Sequence, residues 1–584
     1  MANSLFRRKT IDSILTDAQK GDTDVHAHGL KRVLTVRDLT FFGIAAIIGA
    51  GSFSSLGDAV FKGGPGVVLL FVITGIACAF TALCYSEFAS RIPVAGSAYT
   101  YAYASFGELF AWIIGWALIM EYSIGNIYVA FSWSDYFTSF LHKANIHIPD
   151  YLTTSYAEAH KAVLDRSSNK ELINAWNSAP MIGSLRIILD LPALVINLLI
   201  TYLVYRGIKE SRNFSNAMVV LKLAIVLFVI LVGGSLILSN GLSFNWTPAN
   251  DEGVRSFMPN GFGGVMAAVS GVFFAYIGFD AVSVLAEESK NPQRDLPRGM
   301  IYSLVICTVV YILLSLVLTG AVNYKNFEGV GDPLAFIFES QNLNLGWMQL
   351  LVSICAVIAM TSVLLVFQMG QPRIWMSMSR DGLLPPVFQK IHHKFKTPSF
   401  ATIVTGLVVG IPILFTDKSF VLDFTSIATL FAFVLVCGGV LLIPRKEKVA
   451  GRFSIPYING QFIYPLIIVL SLTLFVVFSK NYFDNLFDFD FSANADYQEG
   501  KASFMDLATP NISIIIFWIL CFILAIATVI KKYSLIPLMG VTTCLYLLTG
   551  MTKSNWAWFL SWLAVELILY FLYGYNKSKL AVKQ

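Results

Sequence analysis

Two glycine-interrupted runs decide the fold that this sequence predicts: GIAAIIGAGSF at residues 43–53 and FFAYIGFD at residues 273–280. They fall in the first and sixth predicted membrane spans, so we expect a broken helix in each half of a five-plus-five inverted repeat. Exposed N–H groups at such a break suit a carboxylate, and freed carbonyl groups suit an ammonium. The pair predicts a receptor for a zwitterionic amino-acid backbone, whereas glycines that only allow close helix packing are the alternative.

The composition places these runs in a membrane protein. Of the 584 residues, 56% are hydrophobic and only 13% are charged, whereas soluble domains average about 25% charged residues. The mean hydropathy is +0.68. A soluble protein, a disordered chain and a nucleic-acid binder are therefore excluded, and the sequence predicts an all-α polytopic membrane protein in contact with the lipid bilayer. The net charge of +5 suggests no polyanionic partner.

Apolar segments long enough to cross a bilayer need about 20 residues each. We expect amphipathic stretches at 91–107 and 374–394 to lie along the membrane interface. Fourteen spans are predicted, beginning near residues 39, 66, 108, 186, 213, 260, 298, 334, 399, 420, 461, 511, 533 and 555.

The basic residues orient these spans. Segments on the N-terminal side of the membrane carry 28 of the 41 Lys and Arg residues, and the opposite side carries 12. The positive-inside rule therefore predicts that both termini are cytoplasmic, in a multi-pass protein of the plasma membrane. The first 38 residues are polar and predict no cleavable signal peptide. The loops 142–185 and 481–510 are polar, and we expect neither to form a separate domain.

Enzyme and metal motifs are missing from the sequence. It has no Walker A motif, no His-Glu-x-x-His and no G-x-S-x-G. His392 and His393 lie in a basic loop, where a solvated face is expected. The seven cysteines fall in apolar segments, which predicts that they are buried as small hydrophobic side chains. We expect no cofactor, no metal and no enzymatic activity, so the candidates are a secondary transporter, a channel and, remotely, an intramembrane enzyme.

Four charged residues lie within the predicted spans, at a cost of about 2.5–3.5 kcal/mol each at a helix centre. They are Glu121, Lys222, Asp280 and Glu566. Lys222 lies ten residues beyond Arg212, about 15 Å along a helix. A lysine at that depth can exchange a proton near physiological pH, which predicts proton coupling. A permanent ion pair with Glu121 or Asp280 is the alternative.

The other three charges permit several roles. Three roles are open for Glu121: it meets the substrate side chain, it pairs with Lys222, or it is protonated and only hydrogen-bonded. We expect Asp280 to bond backbone N–H groups freed by the second break. For Glu566, in the last span, we expect a peripheral structural contact.

Three further stretches carry a resemblance to a known family: YSEFASRIPVAGSAYTYAY at 85–103, FFAYIGFDAVSVLAEESKNPQRDLPRG at 273–299 and GQPRIWMSMSRDGLLP at 370–385. With them, the chain resembles the amino acid–polyamine–organocation superfamily, and within it the cationic amino acid transporter group and its bacterial relatives. The resemblance runs from residue 29 to about residue 443.

The resemblance implies a leucine-transporter-like fold of about fourteen helices. A cytoplasmic segment at 1–38 precedes the first five-helix repeat at 39–240. The inverted second repeat spans 260–443, peripheral helices occupy 461–575, and residues 576–584 form a cytoplasmic tail.

The resemblance also implies a substrate site at the two breaks. The backbone N–H groups expected to hold the substrate carboxylate belong to Gly49, Ala50 and Gly51. The carbonyl groups expected to hold its ammonium belong to Ile47, Phe274, Ala275 and Ile277. A family hydroxyl is missing at Ala50 and present two residues later, at Ser52, which leaves carboxylate binding through the backbone intact.

For the ion, the resemblance implies proton symport with alternating access. Protonated Lys222 would face the hydroxyls of Thr361 and Ser362 and stabilise the outward-open state. A uniporter or exchanger with a fixed Lys222, and an amino acid sensor without transport, are the alternatives. The expected partners are an amino acid and protons, with a slight preference for neutral or broad substrates; an accessory subunit is left open.

Overall fold

The fold is almost entirely helical. The computed structural model describes residues 7–11, 14, 34–49, 51–94, 97–164, 169–183, 185–207, 212–249, 253–395, 397–443, 452–478, 482–492, 495–498 and 503–582. Its first twelve α-helices are α1 Val36–Ile47, α2 Leu56–Gly63, α3 Val67–Arg91, α4 Ser97–Ser105, α5 Glu108–Lys143, α6 Tyr156–Leu164, α7 Lys170–Ser178, α8 Leu191–Arg206, α9 Arg212–Ser239, α10 Gly261–Ala267, α11 Val269–Tyr276 and α12 Pro292–Ala321.

The second half of the chain continues in the same way. Its helices are α13 Pro333–Phe336, α14 Gly346–Arg380, α15 Ser399–Ile413, α16 Lys418–Leu442, α17 Ile463–Phe478, α18 Tyr482–Phe487, α19 Ala495–Gln498, α20 Phe504–Lys531, α21 Leu535–Leu548, α22 Lys553–Leu569, α23 Tyr575–Lys577 and α24 Lys579–Val582. Short 3₁₀ or π turns lie at Gly51–Ser55, Gly64–Gly66, Asp150–Leu152, Leu242–Trp246, Asp280–Glu288, Tyr324–Phe327, Pro386–Gln389 and Tyr570–Gly574.

Eight helical segments in the described part of the chain are long and apolar enough to cross a membrane, or nine if one pair bent by 43° is counted as one span. The bent pair joins Gly261–Ala267 to Val269–Ser283. Four further apolar helices, α8, α15, α17 and α21, are shorter than 18 residues. The chain is thus a multi-pass membrane protein, and the number of crossings stays a prediction.

Two predicted boundaries differ from the structure. The eighth span, predicted near residue 334, begins at Gly346, because residues 333–336 form only a short separate helix. The stretch 374–394, predicted to lie along the interface, is divided, since its first residues complete α14 up to Arg380. The apolar residues at the start of 374–394 therefore belong to the long helix α14 and not to a helix on the membrane surface.

Local side-chain chemistry explains several helix ends. Thr35 and Asp38 form a capping box at the start of α1, in which the Thr35 backbone N–H donates to the Asp38 carboxylate at 3.0 Å. Asp190 caps α8 by accepting from the Ala193 backbone N–H at 2.9 Å. Gly207 ends α8 with a left-handed φ of +72°, a conformation that glycine adopts without strain.

The helices around the two breaks pack in two sets. The first set is α1, α3, α11 and α12, in which α12 packs against α1 and α3 and α11 packs against α3. Helices α5, α8, α14 and α15 form the second set, in which α14 packs along α5. Helix α16 packs on α5, α11 and α21. The cavity described below lies where the two sets meet.

A buried polar network ties the second set together. Asn126 on α5 donates to the side chain of Gln368 on α14. Gln368 Nε2 in turn donates to Thr201 Oγ1 on α8 at 2.8 Å, and Asn197 Nδ2 on the same helix donates to the Gly406 carbonyl of α15 at 3.1 Å. Because an unpaired polar group in hydrocarbon is costly, these bonds fix the four helices relative to one another.

The loop between α5 and α8 folds onto the helices near it. It carries α6, α7 and a two-stranded antiparallel hairpin of β1 Met181–Ile182 and β2 Leu185–Arg186, in which Met181 pairs with Arg186. Glu158 on α6 accepts from the Lys418 backbone N–H at 3.0 Å. The Lys418 ammonium pairs with Asp135 of α5, so the loop is fastened to the start of α16.

Candidate functional site

The first predicted break is present. Helix α1 ends at Ile47, and Ile48 has extended backbone angles (φ −78°, ψ 91°). The chain resumes as a π turn from Gly51 to Ser55 before α2 begins. Ala50, which was predicted to bind the carboxylate, lies outside the described residues. The interruption leaves the carbonyl groups at the end of α1 without partners from a following helical turn.

The second predicted break is also present. Helix α11 ends at Tyr276, and Ile277 is extended (φ −60°, ψ 137°). Gly278 has a φ of +114°, which side-chain-bearing residues rarely adopt, and a 3₁₀ turn follows from Asp280. The glycine is therefore required by the backbone conformation at this position.

The two breaks lie directly against each other. A Cβ atom on Gly51 would lie 2.4 Å from the backbone Cα of Ala275, and a Cβ atom on Gly278 would lie 2.9 Å from Ala46 Cβ. A Cβ atom on Gly49 would lie 2.6 Å from Val363 Cγ2 of α14. Each glycine thus allows a backbone approach that a side chain would block.

A small cavity lies between the breaks. Its volume is about 10 Å³ for the centre of a water-sized sphere, which is room for about one water molecule. It is lined by Ala46, Ile47, Gly51, Val129, Phe274, Ile277, Val363 and Phe367. The predicted residues Ile47, Gly51, Phe274 and Ile277 are therefore brought together around one space, which is closed to a molecule of amino-acid size.

The predicted proton site is buried next to the first break. Lys222 is 2% exposed, and its Nζ donates to the Ala45 carbonyl at 3.2 Å. The hydroxyl groups of Thr361 and Ser362 donate to carbonyls of their own helix, at Val357 (2.7 Å) and Ala359 (2.8 Å). Helix α9, which carries Lys222, packs on α14, which carries both hydroxyls. The predicted bridge from Lys222 to these hydroxyls stays a prediction.

Glu121 does not line the cavity. It is 2% exposed on α5 and lies near Thr429 and Asp280. Its Oε2 atom accepts no hydrogen bond from any described residue. Asp280 lies near the backbone amides of Gly278 and Ala281, although neither carboxyl oxygen accepts a hydrogen bond of ordinary geometry within the described chain. The carboxyl groups of Glu121 and Asp280 are therefore near each other, beside the second break.

Glu566 lies on α22, which packs on α16 and α5. It is 2% exposed, and its backbone carbonyl accepts from Trp112 Nε1 at 2.9 Å. All seven cysteines are buried as free thiols.

Sequence reasoning missed half of the cavity wall. The lining residues that were not predicted are Ala46 on α1, Val129 on α5, and Val363 and Phe367 on α14. Sequence reasoning also missed Tyr311, whose hydroxyl donates to the Ile47 carbonyl at 2.8 Å. These are ordinary residues of apolar spans, and only the packing of helices distant in sequence brings them to the site.

An edge-to-face aromatic pair lies beside the cavity. The Phe274 ring, which lines the cavity, packs on the Tyr128 ring with centroids 4.6 Å apart. The Lys418 ammonium lies 5.5 Å from the centroid of the Tyr128 ring, within cation–π range. Lys418 in turn pairs with Asp135. These contacts connect α11 to α5 and to the start of α16.

Comparisons with known proteins agree with this architecture. The family model for amino acid permeases matches residues 34–486. The chain is 40% identical to the branched-chain amino acid permease BcaP of Bacillus subtilis (strain 168), over 81% of this chain and 93% of the relative. It is 38% identical to the methylthioribose transporter of the same organism, over 78% of this chain and 89% of the relative.

A plant relative is similar over a comparable length of the chain. Cationic amino acid transporter 2, vacuolar, of Arabidopsis thaliana is 36% identical over 76% of this chain and 64% of the relative. The resemblance noted in the sequence is confirmed: this chain belongs to the amino acid permease family of the amino acid–polyamine–organocation superfamily.

Proposed function

We propose that this chain is a secondary transporter that imports neutral aliphatic amino acids across the plasma membrane by proton symport. The observation that carries the proposal is the pair of facing helix breaks around an apolar cavity. The break residues Gly51 and Ile277 offer backbone groups, which suit the carboxylate and ammonium common to all amino acids.

The preference for an aliphatic side chain rests on the cavity wall. Val129, Phe274, Val363 and Phe367 line it with apolar side chains, and none of them carries a charge or a hydrogen-bonding group. Glu121, which was one candidate for a cationic substrate, lies at Thr429 and Asp280. A cationic side chain in this cavity would lose its hydration without gaining a partner, whereas a branched aliphatic one would be buried favourably.

The names of the relatives support amino acid transport, but they point to two different classes of substrate. One is named as a branched-chain amino acid permease, and others are named as cationic amino acid transporters. The alignment with the bacterial branched-chain amino acid permease covers 93% of that relative. This match supports both the aliphatic substrate and a plasma membrane location.

Proton coupling is proposed to run through Lys222. The lysine contacts the Ala45 carbonyl, two residues before the end of α1. Its protonation state therefore bears directly on the segment that binds substrate. Protonated Lys222 would hold α1 in the substrate-ready state, and loss of the proton would free α1 to move and release substrate.

The proposed topology follows the same scheme. Fourteen spans, with the first ten in two inverted repeats, would place both breaks at the membrane midplane. Because the cavity has room for about one water molecule, binding of an amino acid requires the two helix sets to separate. Alternating access would then be the rocking of the α1, α3, α11 and α12 set against the α5, α8, α14 and α15 set, with both termini cytoplasmic.

A competition panel tests the substrate class. Purified protein in liposomes would take up labelled leucine, and unlabelled valine and isoleucine should compete, whereas lysine and arginine in equal excess should not. The panel is run with and without an inward proton gradient. Lysine competing as well as valine would contradict the aliphatic substrate. Leucine binding without any flux would favour a sensor and contradict the carrier.

A further inference from the structure

Three carbonyl groups at the first break have identifiable partners. Lys222 Nζ donates to the Ala45 carbonyl at 3.2 Å. The Gly49 carbonyl accepts from the backbone N–H groups of Ser52 and Phe53, both at 3.0 Å, and from Ser52 Oγ at 3.0 Å. The Ile47 carbonyl accepts from the Tyr311 hydroxyl at 2.8 Å. Of the residues that own these carbonyls, Ile47 is the one that lines the cavity.

Tyr311 bonds the Ile47 carbonyl but is not among the residues that line the cavity. It is fully buried on α12, which packs along α1. Its ring contacts the rings of Phe71 and Tyr276, with centroids 5.7 and 5.5 Å away. A tyrosine has few rotatable bonds, and these two neighbours fix its ring. The hydroxyl is therefore held at one point against the end of α1.

The bond leaves the Ile47 carbonyl able to bind something else. A carbonyl oxygen has two lone pairs, and the Tyr311 hydroxyl occupies one of them. The second lone pair is available to a donor in the cavity that Ile47 lines. A substrate ammonium is such a donor, and its charge makes the resulting hydrogen bond a strong one.

We propose that Tyr311 is a positioning residue for substrate binding, because its hydroxyl orients the Ile47 carbonyl toward the substrate ammonium. The inference rests on the proposed function, since it requires an amino acid in the cavity. The last carbonyl groups of a helix lack the helical bonds that would otherwise orient them. Orienting it before substrate arrives removes part of the ordering cost of binding.

Tyr276 provides a matched control. It lies in the same aromatic cluster and is also fully buried. Its hydroxyl donates to the Phe71 carbonyl at 2.8 Å, in helix α3, and Phe71 does not line the cavity. Tyr276→Phe thus removes a buried tyrosine–carbonyl hydrogen bond of the same length, from the same surroundings, without touching Ile47.

The test measures leucine uptake into liposomes for wild type, Tyr311→Phe and Tyr276→Phe, each with its melting temperature in detergent. Tyr311→Phe should raise the KM for leucine roughly three- to tenfold, the effect of losing one hydrogen bond, with the maximum rate within about twofold. Tyr276→Phe should leave KM unchanged, although both variants lower the melting temperature to a similar extent.

Two results would overturn the inference. One is an unchanged KM in Tyr311→Phe, and the other is an equal rise of KM in both variants, which would mark a purely structural role. If wild type binds leucine without transporting it, the proposed function fails, and the same comparison is made with the dissociation constant from leucine-dependent thermal shifts. If wild type prefers another amino acid, that amino acid replaces leucine, because all share the ammonium.

Discussion

The backbone Cα of Ala275 lies 2.4 Å from the point that a Cβ atom on Gly51 would occupy. The two helix breaks therefore touch through their main chains, and no side chain fits between them. This contact places the backbone groups of both breaks around one cavity. The proposed substrate site depends on it.

Replacing Gly51 with alanine tests this contact. The added methyl group would meet backbone, which cannot move aside as a flexible side chain can. We expect a loss of about 1–3 kcal/mol in stability and a loss of leucine uptake of at least tenfold. Melting temperature and uptake in liposomes measure the two effects.

The control for that substitution is Gly234→Ala, on helix α9. A Cβ atom there would meet nothing within 4 Å, so neither stability nor uptake should fall, and helix propensity should raise stability slightly. Equal behaviour of the two variants would show that the close contact between the breaks is unimportant.

Val363 is expected to limit the size of the substrate side chain. It lines the cavity on α14, and Val363→Ala would remove two methyl groups from the wall. In an apolar pocket, one methylene group changes the discrimination between two substrates by about 1–3 kcal/mol. In this variant we expect the apparent affinity of phenylalanine to rise roughly tenfold relative to that of leucine.

Competition curves against labelled leucine measure that ratio. Ile354→Ala, on the same helix but 37% exposed on the outer face of the bundle, should leave the ratio unaltered. A ratio that does not change in Val363→Ala would place the substrate side chain elsewhere.

Lys222 is expected to be the coupling residue. Lys222→Ala removes the ammonium that contacts the Ala45 carbonyl. Leucine uptake should then lose its stimulation by an inward proton gradient, although exchange of leucine for leucine persists. Uptake at a fixed external pH, with and without the gradient, measures this.

An exposed cation provides the comparison. Lys553→Ala, which breaks a pair with Asp506, should retain full stimulation. Gradient-stimulated uptake in Lys222→Ala would assign coupling to another group.

Glu158 is expected to make stability depend on pH. Burial, and next the charge of Asp135, raise the pKa of Glu158 above its ordinary value. The folded protein therefore holds this proton more tightly than the unfolded chain. Ionisation of Glu158 costs stability above the raised pKa, and the cost disappears as the pH falls below the ordinary value of about 4.3.

Glu158→Gln should accordingly melt at a higher temperature than wild type at pH 8, because it keeps an acceptor for the Lys418 backbone N–H but carries no charge. The difference should shrink toward pH 4. Asp484→Asn, on the exposed helix α18, should show no such trend. A constant difference across the pH range would contradict the account of Glu158.

The breaks could be predicted because their signals are local. Glycines at Gly49, Gly51 and Gly278 interrupt apolar runs, and a helix cannot continue unchanged through Gly278 at its observed φ. The burial of Lys222 followed from its distance along the helix from Arg212. Each of these inferences needs only neighbours in sequence.

The rest of the site depends on contacts between distant segments. Val129, Phe367 and Tyr311 are typical residues of apolar spans, and their meeting at the breaks is set by how α5, α14 and α12 pack. The position of Glu121 beside Asp280 has the same origin. Residue type alone does not reveal which side of a buried helix faces the cavity.

The most direct measurement of the central claim is leucine accumulation in liposomes that contain the purified protein. With an inward proton gradient imposed, the account predicts that internal leucine rises above the external concentration and that dissipating the gradient returns it to equality. Equilibration without accumulation under the same gradient would contradict proton-coupled transport.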